Sequence, residues 1–418
     1  MKKLLHTLLF LLTAFYVYTP TINAQILGLE LLEGKPRVDI KFNYEQGFIL
    51  LDVRFNNSLP LTFILDTGAE HIIIFNKTIT DIFGFEYEKK ISLVGSDLDK
   101  EVLAYISRNI PIQLEECKTV LRDIIILEED FLHLEEITGK PIHGILGSRF
   151  LRGLVLDIDY RKQKLSLINS ALFTPPSEKI FKKIDLKFSG HKPYIESYII
   201  NSTGDTISAN LLIDTGSALP FLIFIDSHPS LQLPENFIKG NLGKGIGGEL
   251  EGFLGKVRLL NLDAYQFSSL ITRFQAIPDN IDKKIFQYRN GLIGNPILSR
   301  FRVMIDFVKN EMYLRPNKKY DKTFNYDKSG LTIYAIGENL DEFYIKDIIE
   351  GSPADIAGIK KGDMLKKIGF WPSHFYTLGD ISKKFEKKEG RKYKLTLERK
   401  GVRYKTHMIL RDMLKVTP

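Results

Sequence analysis

The sequence predicts a mainly β protein: two homologous β-barrel-like lobes with a cleft between them, followed by a small α+β domain. Three observations carry this prediction. A set of motifs is duplicated along the chain, short β-branched and aromatic runs alternate with turn residues, and residues 325–418 follow a different pattern. With 418 residues, of which 44% are hydrophobic, the chain has enough apolar material for cores in several domains.

The duplication is visible as landmarks that recur at nearly constant spacing. Asp-Thr-Gly stands at 66–68 and again at 214–216, each time after three apolar residues. Two apolar-apolar-Gly segments, which end at Gly147 and Gly294, follow at matching distances. A single Asp-Thr-Gly tripeptide can occur by chance, whereas two pairs of motifs at matching spacing indicate a duplicated domain.

Two segments of the chain are expected to separate the domains. A Pro pair at 175–176 breaks either type of secondary structure, and the stretch 315–330 is polar. The predicted ranges are a signal peptide at 1–24, a first lobe at 25–174, a second lobe at 175–318 and an α+β domain at 325–418.

The N-terminus has the layout of a secretory signal peptide. Lys2 and Lys3 precede an apolar run from Leu4 to about Tyr18, and polar residues then lead to Ala24. We expect cleavage after about Ala24 and an exported protein, periplasmic or extracellular, with no stable membrane span after cleavage. The alternative is an uncleaved anchor, although the run is shorter than the ~20 residues that a transmembrane helix needs.

The two Asp-Thr-Gly turns suggest a pair of carboxylates that share one proton. Two carboxyl groups within hydrogen-bond reach cannot both ionise easily, so one can act as a general base and the other as a general acid. Such a pair, Asp66 with Asp214, can hydrolyse an amide bond without a metal or cofactor. Glycine allows the two backbones to approach closely. The residues expected to support the pair are Thr67, Gly68, Thr215, Gly216 and Ser217.

These motifs resemble the aspartic peptidases, both the retropepsin-like and the two-lobed pepsin-like kind. The resemblance covers roughly residues 40–316 and implies a catalytic dyad of Asp66 and Asp214 supplied by one chain. It further implies that each apolar-apolar-Gly strand packs behind its catalytic loop. The alternative interpretation is that each Asp is only a turn or N-cap residue.

The two turns differ at one position, where the first has Ala69 and the second has Ser217. A Ser217 hydroxyl that donates to Asp214 would favour the charged form of that carboxylate. The hypothesis from sequence is therefore that Asp66 holds the shared proton more of the time.

Glycine-rich residues 243–248 match G-x-G-x-x-G, but no strand-to-helix context supports a nucleotide site. By the family resemblance they form a flap over the substrate, with a weaker counterpart around 93–96; a plain surface hairpin is the alternative. The predicted substrate contacts are Glu70, Gly245, Ile246, Gly247 and Gly248.

The C-terminal segment resembles a PDZ domain, most specifically in EGSPADIAGIKKGDML at 350–365. The resemblance implies that backbone amides at 329–331 bind the carboxylate of a peptide C-terminus and that a helix around 378–388 forms the opposite wall. A PDZ fold that only braces the protease is the alternative. The predicted groove residues are Gly330, Leu331, Ile333, Ile381 and Phe385.

Other chemical classes find little support in the sequence. It has no G-x-S-x-G, H-E-x-x-H or Cys-x-x-Cys motif, so we expect no metal, no cofactor, no nucleotide and no nucleic acid partner. The predicted function is that of an exported aspartic endopeptidase acting on polypeptides, with a PDZ module for peptide binding. The alternatives are a catalytically inactive peptide-binding protein and a PDZ-based adaptor on a protease-like scaffold.

Overall fold

The computed structural model describes residues 28–95, 100–245, 248–279, 281–286 and 288–415. The fold is mainly β, which confirms that part of the predicted fold class. The predicted signal peptide lies outside the described residues, as do Ile246 and Gly247 of the predicted flap. Within the described ranges, no helix is both long enough and apolar enough to cross a bilayer.

The first repeat begins with short strands whose buried and exposed residues alternate, as in β1 and the second half of β3. Its strand β4, which ends at Asp66, has sheet neighbours on both sides and carries three successive buried residues before that Asp. The strands are β1 Arg37–Lys41, β2 Asn43–Glu45, β3 Phe48–Phe55, β4 Leu59–Asp66, β5 Ile72–Ile74, β6 Lys89–Val94, β7 Glu101–Leu114, β8 Val120–Leu127, β9 Gly144–Gly147, β10 Leu154–Asp159 and β11 Lys164–Asn169. The helices are α1 Lys77–Asp81 and α2 Glu135–Thr138, with 3-10 turns at Ser148–Leu151 and Ser170–Leu172.

The second repeat has the same number of strands in the same order. Its strand β15 ends at Asp214 with four successive buried residues. The strands are β12 Lys182–Asp185, β13 Lys187–Ser189, β14 Lys192–Ile200, β15 Thr206–Asp214, β16 Phe221–Ile225, β17 Ile238–Gly245, β18 Gly248–Leu262, β19 Tyr265–Ala276, β20 Gly291–Gly294, β21 Phe301–Asp306 and β22 Glu311–Pro316. The helix is α3 Asn295–Leu298, and Lys283–Phe286 form a 3-10 turn.

Each repeat folds into an eight-stranded sheet, and the two sheets have equivalent strand orders. The first is β2-β3-β4-β9-β5-β8-β7-β6 and the second is β13-β14-β15-β20-β16-β19-β18-β17. Every strand of the first has its counterpart eleven strands later in the second. The duplication seen in the sequence is therefore also a duplication of topology.

A six-stranded sheet, β1-β11-β10-β21-β22-β12, joins the repeats. At its centre β10 pairs antiparallel with β21, so that Leu156 lies opposite Ile305. Both residues are fully buried and belong to one hydrophobic core that runs through both repeats. The two repeats therefore share one sheet and one continuous core.

The C-terminal module is a separate sheet with its own core. Helix α5 begins with a capping box between Thr377 and Asp380, and it ends at Phe385 rather than near Lys388 as the sequence predicted. The run 386–389 after Phe385 is charged and has no apolar side chain to bury. The strands are β23 Leu331–Ile336, β24 Glu342–Ile348, β25 Met364–Ile368, β26 Trp371–Pro372, β27 Lys392–Arg399 and β28 Val402–Ile409. The helices are α4 Pro353–Ile356 and α5 Leu378–Phe385, with a 3-10 turn at Ser373–Phe375.

Candidate active site

The two Asp-Thr-Gly turns sit at equivalent places in the two sheets. Strand β4 pairs parallel with β9, which sets Asp66 beside Gly147. Strand β15 pairs parallel with β20 in the same way, which sets Asp214 beside Gly294. Each apolar-apolar-Gly strand thus lies next to the strand that carries the carboxylate, as the family resemblance implied.

The glycines of the two turns lie against the opposite carboxylates. A Cβ added to Gly68 would lie 2.6 Å from Cγ of Asp214, and one added to Gly216 would lie 2.1 Å from Cγ of Asp66. Real Cβ atoms do not come so close to other heavy atoms, so each turn needs glycine for steric reasons. The two carboxyl groups also hydrogen-bond each other.

The threonines lock the turns together by reciprocal hydrogen bonds. The Thr67 backbone N–H donates to Oγ1 of Thr215, and the Thr215 N–H donates to Oγ1 of Thr67, each at 3.0 Å. Each hydroxyl in turn donates across to the other repeat, to the carbonyls of Ile213 at 2.6 Å and Leu65 at 2.9 Å. Both threonines are fully buried, so these four bonds hold the carboxylates in register.

The two carboxylates have unequal surroundings. Asp66 is half-buried, and its Oδ1 accepts backbone N–H bonds from Gly68 at 2.7 Å and Ala69 at 2.9 Å. Asp214 is buried, and its Oδ1 accepts one such bond, from Gly216 at 2.8 Å. Burial raises the pKa of Asp66. Burial, reinforced by the negative charge of Asp66, raises the pKa of Asp214 well above its ordinary value.

The hypothesis drawn from Ser217 depends on a hydrogen bond from its hydroxyl to Asp214. The Ser217 hydroxyl accepts the Leu219 backbone N–H at 3.2 Å, and the described residues show no hydrogen bond from it to Asp214. Serine commonly bonds to the backbone two residues onward, and here the hydroxyl oxygen accepts such a local bond. In the first turn, Ala69 has no hydroxyl, but its backbone N–H donates the second hydrogen bond to Asp66.

Glu70 lies at the junction of the two repeats. Its carboxylate is 3.0 Å from the position of a Cβ on Gly190, and its Oε1 is 3.8 Å from Nε2 of His191. Both partners belong to the turn between β13 and β14. Glu70, a predicted substrate contact, is thus engaged with the second repeat.

Two cations near the dyad were not found by sequence reasoning. Lys192 acts electrostatically on both Asp66 and Asp214, and Arg289 acts on Asp214. Burial, together with the charge of Arg289, lowers the pKa of Lys192. An alignment of the two repeats would have revealed both, because the equivalent positions in the first repeat are apolar.

A buried hydrogen-bond chain ties the base of the second turn to the first repeat. Asn295 donates through Nδ2 to the carbonyls of Gly47, at 2.7 Å, and Thr215. The Tyr160 hydroxyl donates to Oδ1 of Asn295 at 2.6 Å. Asn295 is fully buried, so loss of either partner would leave a buried amide unsatisfied.

The predicted flap is the hairpin of β17 and β18 at the edge of the second sheet. Gly245 and Gly248 face each other where its two strands end. In the first repeat β6 and β7 form the equivalent hairpin, in which Val94 pairs with Glu101. The two hairpins are therefore topological equivalents, as expected from the duplication.

The predicted PDZ groove lies between β23 and α5, and it is faced by the first repeat. Leu331 and Ile333 are on β23, while Ile381 and Phe385 are fully buried in the core of the module. Helix α2 of the first repeat lies beside both β23 and α5, with Cα atoms within 8 Å. A Cβ on Gly379 of α5 would lie 3.4 Å from Nε2 of Gln46.

The amides assigned to a peptide carboxylate already have partners within the chain. The N–H groups of Ser329 and Gly330 donate to Oδ1 of Asp327 at 2.7 and 3.1 Å. The Leu331 N–H donates to Oγ of Ser329 at 3.1 Å. A carboxyl group of the chain itself, that of Asp327, therefore already accepts hydrogen bonds from this loop.

One group of possible metal ligands occurs among the described residues. Asp130 and His133, in the loop before α2, and Glu135, the first residue of α2, place donor atoms within 4.8 Å of one another. Oδ1 of Asp130 already accepts the N–H groups of Leu132 and His133, so part of the group stabilises the turn. Acidic groups of this kind are common without an ion.

Neither a protein-family model nor a curated protein sequence matches this chain. Among solved structures, the crystal structure of conglutin gamma, "a unique basic 7S globulin from lupine seeds", is similar to it. The identity is 12%, the alignment covers 69% of this chain and 98% of that chain, and the TM-score is 0.40. A similarity of this size carries no argument about function.

Proposed function

We propose that the protein is an exported aspartic endopeptidase that hydrolyses peptide bonds with the dyad of Asp66 and Asp214. The observation that carries this proposal is the contact between the two turns. Two carboxyl groups share a hydrogen bond and are held by reciprocal threonine bonds across the repeats. Export is proposed from the sequence pattern of residues 1–24.

The unequal carboxylates suggest how the work is divided. Asp66, stabilised as an anion by two backbone N–H donors, takes a proton from a water molecule as general base. The oxygen of that water attacks the carbonyl carbon, while Asp214 donates its proton to the carbonyl oxygen. Collapse of the tetrahedral diol then breaks the C–N bond, the leaving nitrogen takes the proton from Asp66, and Asp214 recovers one from the diol. The dyad thus ends each cycle with one proton on Asp214.

The motifs that resemble the aspartic peptidases support this assignment. Both Asp residues, both threonines and both glycines are present, and the four threonine bonds require the two turns to face each other. A pair of turn residues without catalytic work would not need two carboxyl groups buried in contact, because burying a charge is unfavourable.

The C-terminal module has two candidate roles, a peptide-binding PDZ domain and a brace. The brace is favoured by the contacts of the module with both repeats. Its side chains Tyr326, Ile349 and Leu414 pack with Ile238 of β17 and Leu254 of β18, while α2 of the first repeat faces β23 and α5. The amides of the carboxylate loop already have acceptors within the chain, which also favours the brace.

The proposed activity is tested by cleavage of a denatured protein pool from acidic to neutral pH. Wild-type cleavage should be blocked by an inhibitor of aspartic peptidases and abolished by Asp214→Asn. Cleavage that survives this substitution, or that the inhibitor leaves intact, would contradict the assignment. Peptide binding without cleavage at any pH would favour the catalytically inactive peptide-binding protein.

The role of the module is tested separately by C-terminal peptide display on the full chain. A brace predicts no enrichment of peptides with a free C-terminal carboxylate, and Asp327→Ala should lower stability because the buried amides of 329 and 330 lose their acceptor. Enrichment by the wild-type chain, lost when the peptides are amidated, would establish the groove as a binding site and support the adaptor alternative.

A further inference from the structure

The register of the two sheets identifies which residues occupy equivalent places beside the dyad. Tyr194 of β14 pairs with Leu212, two residues before Asp214, and Leu50 of β3 pairs with Ile64, two residues before Asp66. Counting back two residues along each strand, Lys192 stands where the first repeat has Phe48.

The same reasoning applies to the strands behind the turns. Gly291 of β20 pairs with Leu211, and Gly144 of β9 pairs with Phe63, so these two glycines are equivalent. The residue two positions before each is Arg289 in the second repeat and Ile142 in the first. At two equivalent positions, the first repeat is apolar where the second is cationic.

The residues around these positions also differ between the two repeats. Phe48 and Ile142 are buried in one apolar cluster that also holds Leu50 and Ile64. In the second repeat, the guanidinium carbon of Arg289 lies 5.3 Å from the ring centre of Phe224, so that this cation covers the edge of the corresponding cluster.

Neither cation has a matched anionic partner within the part of the chain that the structure describes. Nε of Arg289 is buried without a hydrogen-bond partner. Lys192 has no side-chain ion pair there; the anions that act on it are Glu70, which faces His191, and the dyad itself. Lys192 and Arg289 repel each other, and an added carboxylate would relieve that repulsion.

We propose that Lys192 and Arg289 form an anion-binding subsite in the second repeat's half of the cleft, selecting substrates with Asp or Glu beside the scissile bond. This inference rests on the proposed endopeptidase function. The equivalent residues of the first repeat, Phe48 and Ile142, are apolar and buried, so the first repeat has no matching pair of cations and the acidic residue is expected on one side of the bond only. A carboxylate between two cations makes charge-assisted hydrogen bonds that an amide side chain cannot match.

The test uses pairs of fluorogenic peptides built on one cleaved sequence, identical except for Glu or Gln at each position near the scissile bond. At one position the wild-type kcat/KM should favour Glu by about tenfold or more, as expected for a hydrogen bond between charged groups. Lys192→Met and Arg289→Gln should each reduce this ratio, and the double variant should bring it close to one. Lys192→Glu should reverse it towards a peptide with Lys at that position.

Lys187→Met is the matched control. Lys187 belongs to the same hairpin but is exposed and paired with Glu196, so the Glu-to-Gln ratio should be unchanged. No Glu preference at any position, or a preference that persists in the double variant, would overturn the subsite. If Asp214→Asn abolishes cleavage but the wild-type kcat/KM is the same for Glu and Gln peptides, the subsite is overturned and the endopeptidase proposal stands.

Binding measurements separate this inference from the proposed activity. The Asp214→Asn chain should bind the Glu peptide more tightly than the Gln peptide, with the difference lost on Lys192→Met. If the wild-type chain cleaves nothing but shows this binding difference, the endopeptidase proposal fails and the anion subsite stands. Equal binding of the two peptides would count against the subsite whatever the activity.

Discussion

The two repeats present the same Asp-Thr-Gly turn on the same strand of the same sheet, yet they hold their carboxylates differently. Asp66 is half-buried with two backbone N–H donors, whereas Asp214 is buried with one. Because hydrogen bonds to the anion lower a carboxyl pKa and burial raises it, these surroundings favour the proposed roles of Asp66 as base and Asp214 as acid. A duplicated fold thus produces unequal chemistry through small differences around identical motifs.

The same contrast extends beyond the carboxylates. The first repeat has Phe48 and Ile142 at two positions where the second repeat has Lys192 and Arg289. Symmetry of the backbone is needed to bring two carboxylates together. The side chains at equivalent positions around the turns are free of that requirement and can differ.

The largest expected effect comes from removing either member of the dyad. Asp214→Asn and Asp66→Asn should each lower kcat by a factor of about 10³ or more, since each removes one half of the acid–base pair. The control is Asp52→Asn, an exposed carboxylate of β3 whose loss should leave kcat unchanged. Initial rates on a cleaved peptide, with circular dichroism to verify folding, provide the measurement. Substantial activity in either variant would contradict the proposed acid–base roles of Asp66 and Asp214.

The next largest effect concerns the threonines that join the turns. Replacing Thr67 and Thr215 together by Val removes the reciprocal bonds and leaves two buried backbone N–H groups without acceptors. The free energy of unfolding should fall by about 2–4 kcal/mol. Urea unfolding measures this loss.

The control for that experiment is Thr62→Val, which removes only a long hydrogen bond of 3.4 Å to the exposed Asp52. Its midpoint of urea unfolding should differ little from that of the wild type. Equal effects of the two substitutions would show that the reciprocal bonds add nothing to stability.

The pH dependence of the free energy of unfolding distinguishes the two carboxylates. The raised pKa of Asp214 means that the folded chain keeps a proton that the unfolded chain releases above the ordinary value of 3.8. Its contribution to the free energy of unfolding is therefore greatest at low pH and is lost as the pH rises through the raised pKa. The groups facing it are Asp66, which raises the pKa, and Arg289, which opposes the rise.

Asp214→Asn should remove this dependence and flatten the curve of stability against pH more than Asp66→Asn does. Unfolding by urea at several pH values between about 4 and 7 tests this order. If Asp66→Asn flattened the curve more, the shared proton would belong to Asp66.

The smallest expected effect is that of Ser217→Ala. Its hydroxyl bonds to the backbone of Leu219 and not to Asp214, so the pH dependence of kcat should not move and stability should change by less than about 1 kcal/mol. A shift of the pH profile to higher pH would show that the hydroxyl donates to the carboxylate after all.

Local pattern and spacing allowed much of this fold and site to be predicted from the sequence. The β character follows from β-branched runs, and pairing of the two turns follows from matched motifs. The helix of the module was predicted about three residues too long, because the first residue in the sequence that stops a helix is Gly390. The cations escaped notice because Lys192 and Arg289 belong to no motif and lie far apart in sequence.

By itself, the sequence determined that two carboxylates on equivalent apolar strands belong to one duplicated architecture, because matched spacing of several motifs is improbable in a chain without a duplicated domain. Only the tertiary structure decided that the two carboxylates have unequal burial and hydrogen-bond donors, that a lysine and an arginine side chain act electrostatically on the pair, and that the amides of the predicted carboxylate loop are already occupied. Burial, charge and hydrogen-bond partners depend on residues brought together from distant parts of the chain, and a local pattern carries no record of them.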